Sequence, residues 1–290
     1  MRVLVLGAGL MGSQIGCEYA LGGHRVVLVA RGRARVEERR TAALRLVEEL
    51  GLADPEAVAA AARRLTVAGG IAEAGPVELV VESVPENLEL KVGLLREARA
   101  TSPGAILASN TSSLSITELG ERAGAPERTV GTHYWNPPLL MSPVEVVPGR
   151  ATEPAVVEEV CALLRGLGKR PLVVADVPGF AWNRIQMAVL REAAWLVEHG
   201  VASPEAIDEI LTHGLGRRWS AIGFFQAIAL GGVDTWQRTA ANLLPELSTA
   251  QELGDLRRWV TADEETLAEA AARRDRGLAR ALLEERRERG

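Results

Sequence analysis

Cysteine is scarce in this chain. Cys17 and Cys161 are the only two in 290 residues, too few for a disulfide framework or a cysteine-based metal site, and no compact His/Cys spacing points to a metal. A reducing, cytoplasmic setting fits. Lysine is nearly absent as well, with Lys91 and Lys169 the only two, so almost all positive charge sits on arginine, whose planar guanidinium suits planar anions. An excess of either charge is also missing: 33 basic and 38 acidic side chains leave a formal net charge of −5, and no global field draws the chain to nucleic acid or an anionic membrane. Long hydrophobic runs are missing too. The apolar stretch over residues 1–23 is interrupted by Gly7, Gly9, Gly12 and Glu18, which argues against a signal peptide. The stretch over 219–233 is too short for a membrane span and contains Ser220, Gln226 and several glycines.

What remains is a chain that is 47% hydrophobic, enough to bury a full core in one large domain or two modest ones. Short apolar runs at 3–6, 25–30, 79–81, 105–108, 129–132 and 144–147 read as strands, with helical periodicity up to residue 21 and over 36–49 and 86–98. This is a βαβ rhythm, and strands so uniformly apolar fit a parallel sheet covered on both faces. A last strand at 171–175 precedes Asp176-Val177-Pro178-Gly179, after which the pattern turns helical to the end. Ser203-Pro204-Glu205 gives a helix start, and the tail over 263–290 reads as a solvated amphipathic helix. The expected fold class is α/β over residues 1–180 followed by an all-α C-terminal domain over 181–290.

Gly7-Ala8-Gly9-Leu10-Met11-Gly12 follows the first strand and opens the first helix, the context that gives a G-x-G-x-x-G pattern its meaning. The first glycine permits the tight turn, the second lets the backbone approach a pyrophosphate, and the third lets helix and strand pack closely. Gly7, Gly9, Leu10, Met11 and Gly12 are therefore the expected anion cradle of an N-terminal Rossmann-type dinucleotide-binding domain. In NAD-binding versions the second strand ends in an acid that hydrogen-bonds the ribose; here it ends in Ala30-Arg31. No carboxylate repels a 2′-phosphate, and Arg31 and Arg33 can pair with one, so the pattern favours NADP(H) over NAD(H). If these arginines are only solvated loop residues, NAD(H) stands.

Further along lie Ala108-Ser109-Asn110-Thr111-Ser112-Ser113-Leu114, then Gly131-Thr132-His133-Tyr134-Trp135-Asn136-Pro137-Pro138, then Pro143-Val144-Glu145-Val146-Val147. With the glycine motif, Pro85-Glu86-Asn87 and Lys91, and Gly179-Phe180 followed by Asn183-Arg184, the chain resembles the L-3-hydroxyacyl-CoA dehydrogenase superfamily over most of its length. The resemblance implies His133 as general acid/base, Glu145 as the carboxylate that orients it, Ser112 and Asn183 around the reacting oxygen, and Glu86, Lys91 and Asn136 against the nicotinamide half of the cofactor. It also implies a homodimer formed through the helical domain. The chemistry agrees, since oxidising a secondary alcohol needs a base with a pKa near neutrality. From the residues alone, Ser112 can instead cap a helix starting near 115, Glu86 and Lys91 can form a surface pair, and Asn183 can face solvent.

In the helical domain, Gly214-Leu215-Gly216-Arg217-Arg218-Trp219 resembles more closely the branch containing lambda-crystallin, L-gulonate 3-dehydrogenase and carnitine dehydrogenase. Arg218 beside Trp219 can clamp a free carboxylate, which a thioester does not offer. The expected activity is NAD(P)-dependent interconversion of an L-3-hydroxy acid and its 3-oxo form. A CoA thioester substrate is the alternative, with Arg35, Arg39 and Arg40 available to its phosphates, and a non-catalytic dinucleotide-binding or crystallin-like role is a second. The partner is expected to be a small molecule, not nucleic acid or a membrane, with no metal. The apolar segment 221–230 fits either a dimer helix or an internal core helix.

Overall fold

The computed structural model describes residues 1–259 and 264–289. Met1–Ala181 together with Thr266–Gly290 forms one compact unit, and Trp182–Glu265 forms a second. In the first, β1 (Arg2–Leu6), β2 (Arg25–Val29), β3 (Leu65–Ala68), β4 (Leu79–Glu82), β5 (Ile106–Ser109), β6 (Thr129–Tyr134), β7 (Pro143–Pro148) and β8 (Arg170–Val173) make one sheet in the order β3-β2-β1-β4-β5-β6-β7-β8. The order reverses between β1 and β4, the switch point at whose carboxyl ends doubly wound folds bind dinucleotides. Helices α1 (Leu10–Leu21), α2 (Arg33–Glu49), α3 (Pro55–Arg64), α4 (Ile71–Ala74), α5 (Leu88–Thr101), α6 (Ile116–Ala123) and α7 (Pro154–Gly166) cover the two faces.

Strand alternation divides the core. Val3 and Val5 of β1, with Val81 and Ala108, pack against Ile15, Val36 and Val160 of α1, α2 and α7. Leu4 and Leu6, with Val80 and Leu107, pack against Val92, Leu95 and Leu119 of α5 and α6. Along β1, β4 and β5 both faces are thus buried, which is why those runs read as continuous apolar sequence.

Three expectations change. The sheet is not wholly parallel, because β7 runs antiparallel to β6 and β8 follows β7. Only residues 135–142 join β6 to β7, and a parallel return needs a crossover of a dozen or more. Strand β3 and helix α3 were not anticipated; Leu65 both closes α3 and opens a four-residue strand, so no turn residue separates them. The tail helix, α13 (Glu264–Arg289), is not merely solvated. Its Ala279 and Leu282 are buried in the same cluster as α1, α2 and α7, Arg286 Nη1 donates to Leu52 O at 3.1 Å, and Glu285 accepts from Ser142 Oγ at 2.8 Å and from Arg170. It belongs to the first unit, whereas the expected boundary placed it in the helical domain. Residues 260–263, including the predicted tail start at Asp263, and residue 290 lie outside the described residues.

The second unit contains α8 (Trp182–Glu198), α9 (Pro204–Glu209), a π-helical turn over Ile210–Gly216, α10 (Arg217–Ala221), α11 (Phe224–Gly231) and α12 (Val233–Leu243). Ser203 caps α9 as expected, its Oγ accepting from Ala206 N at 3.2 Å. The segment 221–230 is not one helix: Ile222 is extended and Gly223 opens α11. Nor is it an internal core helix, since no residue of α10, α11 or α12 is buried.

Candidate active site

Gly7 turns the chain out of β1 at φ +91°, and a Cβ there would lie 2.5 Å from Ser83 O. Gly7 N donates to Val29 O at 2.8 Å, stitching the turn to β2. A Cβ on Gly12 would lie 1.8 Å from Gly7 O, so no side chain fits where α1 crosses the strand end. At Gly9 a Cβ would meet nothing within 4 Å, which leaves open space over the start of α1. That helix has no side-chain cap and no acidic residue in its first turn, so its free N–H groups and positive dipole end face that space. Exposed Leu10 and half-buried Met11 form the entry to the helix. These features fit a pyrophosphate. Half-buried Ala30 follows β2, and Arg31 and Arg33 flank Gly32 as exposed side chains with no ion-pair partner among the described residues.

The second cluster sits at the carboxyl edge of β5 and β6. His133 and Glu145 are directly opposed in the β6–β7 register, so both project from the same face of the sheet. His133 Nδ1 lies 2.7 Å from Glu145 Oε2 and Nε2 lies 3.1 Å from Ser112 Oγ. With the carboxylate accepting Nδ1–H, the lone pair is on Nε2, where the serine hydroxyl donates. Glu145 Oε1 accepts from Ala181 N at 3.0 Å, and both carboxylate oxygens are thereby fixed. Phe180 is held at φ +50°, the only non-glycine residue with positive φ among those described, and its buried ring packs 5.5 Å from the imidazole. Such a backbone costs about 1–3 kcal/mol and persists only where the surroundings enforce it. The arrangement is a base, an orienting carboxylate and a hydroxyl, screened from water on one side.

Each residue of the loop carrying Ser112 is tied down. Ser109 Oγ donates to Glu82 Oε2 at 2.6 Å; Asn110 Oδ1 accepts from Tyr134 N at 2.9 Å, and Asn110 Nδ2 donates to Ser83 Oγ at 3.2 Å. Glu86 Oε1 accepts from Thr111 Oγ1 at 2.6 Å and from Ser112 N at 3.0 Å. Burial alone would raise the Glu86 pKa, but hydrogen bonds from Thr111 and Ser113, the charge of Lys91 and the Ser112 amide together bring it below the usual carboxylate range. Lys91 is not half of a surface pair. Its ammonium is 1% exposed and bonds Glu82 Oε1 at 2.7 Å and Val84 O at 3.0 Å, with Glu86 Oε2 at 3.3 Å. Ser112 does not cap α6 either. Ser115 does so, backed by Asp176, which accepts from Ser115 Oγ at 2.8 Å and Thr117 N at 2.9 Å.

The structure thus brings together Ser112, His133 and Glu145 in the first unit, with exposed Asn136 three residues beyond the histidine. Asn183 lies in the first turn of α8 in the second unit, two residues along the chain from Ala181. Arg218 and Trp219 lie on α10; Arg218 is exposed, and Trp219 meets Phe224 edge-on at 5.7 Å. Sequence reasoning missed Glu82, Asn110 and Phe180 as parts of the site. The signal for Glu82 was available: an acid that ends an apolar strand at the carboxyl edge. Among the described residues, no group of three or more His, Cys, Asp or Glu is arranged to hold a metal.

Residues 2–177 match the family described as 3-hydroxyacyl-CoA dehydrogenase, NAD binding domain, and residues 179–263 match its C-terminal domain. L-carnitine dehydrogenase of Streptomyces griseus is 34% identical over 96% of this chain and 88% of its own. A probable 3-hydroxybutyryl-CoA dehydrogenase of Bacillus subtilis is 34% identical over 79% of this chain and 81% of its own. The crystal structure of a 5-formyl-3-hydroxy-2-methylpyridine 4-carboxylic acid 5-dehydrogenase, described as an NAD+ dependent dismutase, superposes with a TM-score of 0.87 at 30% identity, covering 96% of each chain. With a glycine cradle at the switch point and an imidazole–carboxylate pair at the sheet edge, the chain is an oxidoreductase that belongs to the 3-hydroxyacyl-CoA dehydrogenase family.

Proposed function

We propose that this enzyme interconverts a free L-3-hydroxy acid and its 3-oxo form, with His133 as general acid/base. The observation that carries this reading is the run of Ser112 Oγ, His133 and Glu145 at 3.1 and 2.7 Å. Nε2 takes the hydroxyl proton as the substrate is oxidised and returns it on reduction, while Glu145 stabilises the imidazolium that forms. Asn183 and, with its hydroxyl turned from Nε2 once substrate is bound, Ser112 donate to the reacting oxygen, where negative charge develops. Gly7, Gly9, Leu10, Met11, Gly12, Ala30 and Asn136 hold the dinucleotide, whose nicotinamide supplies the hydride acceptor or donor when bound. Arg218 with Trp219 clamps the substrate carboxylate. Support for a free acid comes from the carnitine and pyridine-carboxylate dehydrogenases, each similar over 96% of this chain, against 79% for the thioester-named relative. The family name keeps a 3-hydroxyacyl-CoA as the alternative substrate.

Exposed Arg31 and Arg33, with Ala30 where an acid would stand, favour NADPH; the structural relative described as NAD+ dependent favours NADH. Titrating the protein with each, then following nicotinamide absorbance with free 3-oxo acids and with acetoacetyl-CoA, tests both points. We expect turnover of a free acid with NADPH preferred, and Arg31→Ala to weaken NADPH about tenfold more than NADH. Equal losses would make Arg31 a loop residue. Turnover of the thioester alone would move the enzyme to the acyl-CoA branch.

The helical unit supports the proposal of a homodimer. Phe225 is 81% exposed and Leu230 80%, and Ile185, Val201 and Leu244 are exposed as well, apolar side chains that a partner subunit would cover. Light scattering is expected to give twice the 31.0 kDa chain mass, and Phe225→Asp with Leu230→Asp is expected to give a monomer. A wild-type monomer would remove this claim. The two buried free thiols, with burial pushing Cys17 up to about 12, suit a reducing cytoplasmic setting.

A further inference from the structure

We propose that Glu86 is a positioning residue, the internal anion that holds the 111–113 loop in the shape delivering the Ser112 hydroxyl to His133. This rests on the reading of His133 as acid/base. The Oε1 atom of Glu86 accepts from Thr111 Oγ1 at 2.6 Å, Ser112 N at 3.0 Å, Ser113 N at 3.0 Å and Ser113 Oγ at 2.8 Å. Consecutive amides converging on one oxygen form an anion nest, and here the anion is the chain's own carboxylate. Its other oxygen faces buried Lys91 at 3.3 Å.

Lys91 is in turn held by Glu82 and Val84 O, and Glu82 holds Ser109 at the start of the same loop. The loop is therefore anchored at Ser109 by Glu82 and at 111–113 by Glu86, and Ser112 Oγ lies 3.1 Å from His133 Nε2. With Oε1 filled by four donors and Oε2 turned to Lys91, the carboxylate ties the loop to the lysine of α5. Glutamine in its place keeps the shape but brings a weaker acceptor to the nest or an amide N–H₂ to Lys91. Either choice loosens the two amides that set the Ser112 backbone. The serine hydroxyl then no longer meets Nε2 at the distance the site sets, and the proton transfer carried by His133 slows.

The test is a double-mutant cycle of Glu86→Gln and Ser112→Ala, with kcat, KM and NAD(P)H affinity by fluorescence titration measured for each. Each single variant is expected to lower kcat about 10- to 100-fold with substrate KM and cofactor Kd within about twofold of wild type. The double variant is expected to be no worse than the poorer single one, because Glu86 acts through Ser112. Multiplicative losses, or a weakened cofactor Kd with kcat intact, would overturn the proposal. If Glu86→Gln does not fold, Ser113→Ala, at an exposed position that supplies two of the four donors through its amide and hydroxyl, is expected to lower kcat the same way by less. An unchanged kcat there would also overturn it. His133→Ala serves as the control: full turnover in that variant would remove the acid/base reading itself, independently of how Glu86 and Ser112 couple.

Discussion

His133→Ala lowers kcat about 10²- to 10⁴-fold and leaves cofactor affinity within about twofold, the range expected for removing a positioned general acid/base. The effect is large because nothing else in the cluster can replace the imidazole. Glu145 is 1% exposed, with one oxygen on His133 and the other on Ala181 N, and Ser112 has far too high a pKa to act as the base. Cofactor binding survives because the glycine turn is built on β1 and α1, and His133 lies on β6. Steady-state nicotinamide absorbance and a fluorescence titration check both halves. A variant keeping more than about a tenth of the wild-type rate would mean that the proton leaves by another route.

Lys169→Met destabilises the fold by about 3–5 kcal/mol near neutral pH, the usual result of stripping a buried charge of its partner. Lys169 Nζ lies 2.6 Å from Glu18 Oε1 and donates to Pro138 O at 2.6 Å and Met141 O at 2.8 Å, with both charged side chains buried. Burial already raises the Glu18 pKa, and Lys169 is the main group opposing that rise. Without the lysine the folded-state pKa climbs further above its unfolded value. Such an acid costs stability as pH rises through the unfolded value toward the folded one, and the cost disappears below both. Thermal unfolding is thus expected to show the variant far below wild type at pH 7.5, with the gap narrowing as pH falls toward 5. Lys169→Met combined with Glu18→Leu should be more stable than Lys169→Met alone. A pH-independent gap would mean that packing of the lysine stem, rather than the charge pair, sets the loss.

The strands around the glycine turn were legible because Val3 to Leu6 and Leu79 to Val81 are buried on both faces, and burial is what an apolar run records. Strand direction is not recorded in this way, so β7 reads like its neighbours although it runs backwards. His133 and Glu145 could be named from their motifs, but that they meet depends on pairing across the sheet. The burial of Lys91 was not legible for a related reason: its partner Glu82 lies nine residues away on a different element, and a lysine in helical periodicity looks solvated until the strand end beneath it is known. In α13 the stripe of Leu278, Ala279, Leu282 and Leu283 is short against many arginines and glutamates, and composition outweighed it.

The opposition of His133 and Glu145 bears on how this protein can diverge. The two side chains share a face only because β6 and β7 are paired in one register. The connecting residues 135–142 set that register by their number rather than their identity. Substitutions there can reshape what enters the site while the histidine keeps its carboxylate. Deleting a single residue, with the pairing slipping to match, would turn Glu145 to the opposite side of the sheet. Variation in specificity across such a segment is therefore expected to accumulate by replacement, at constant length.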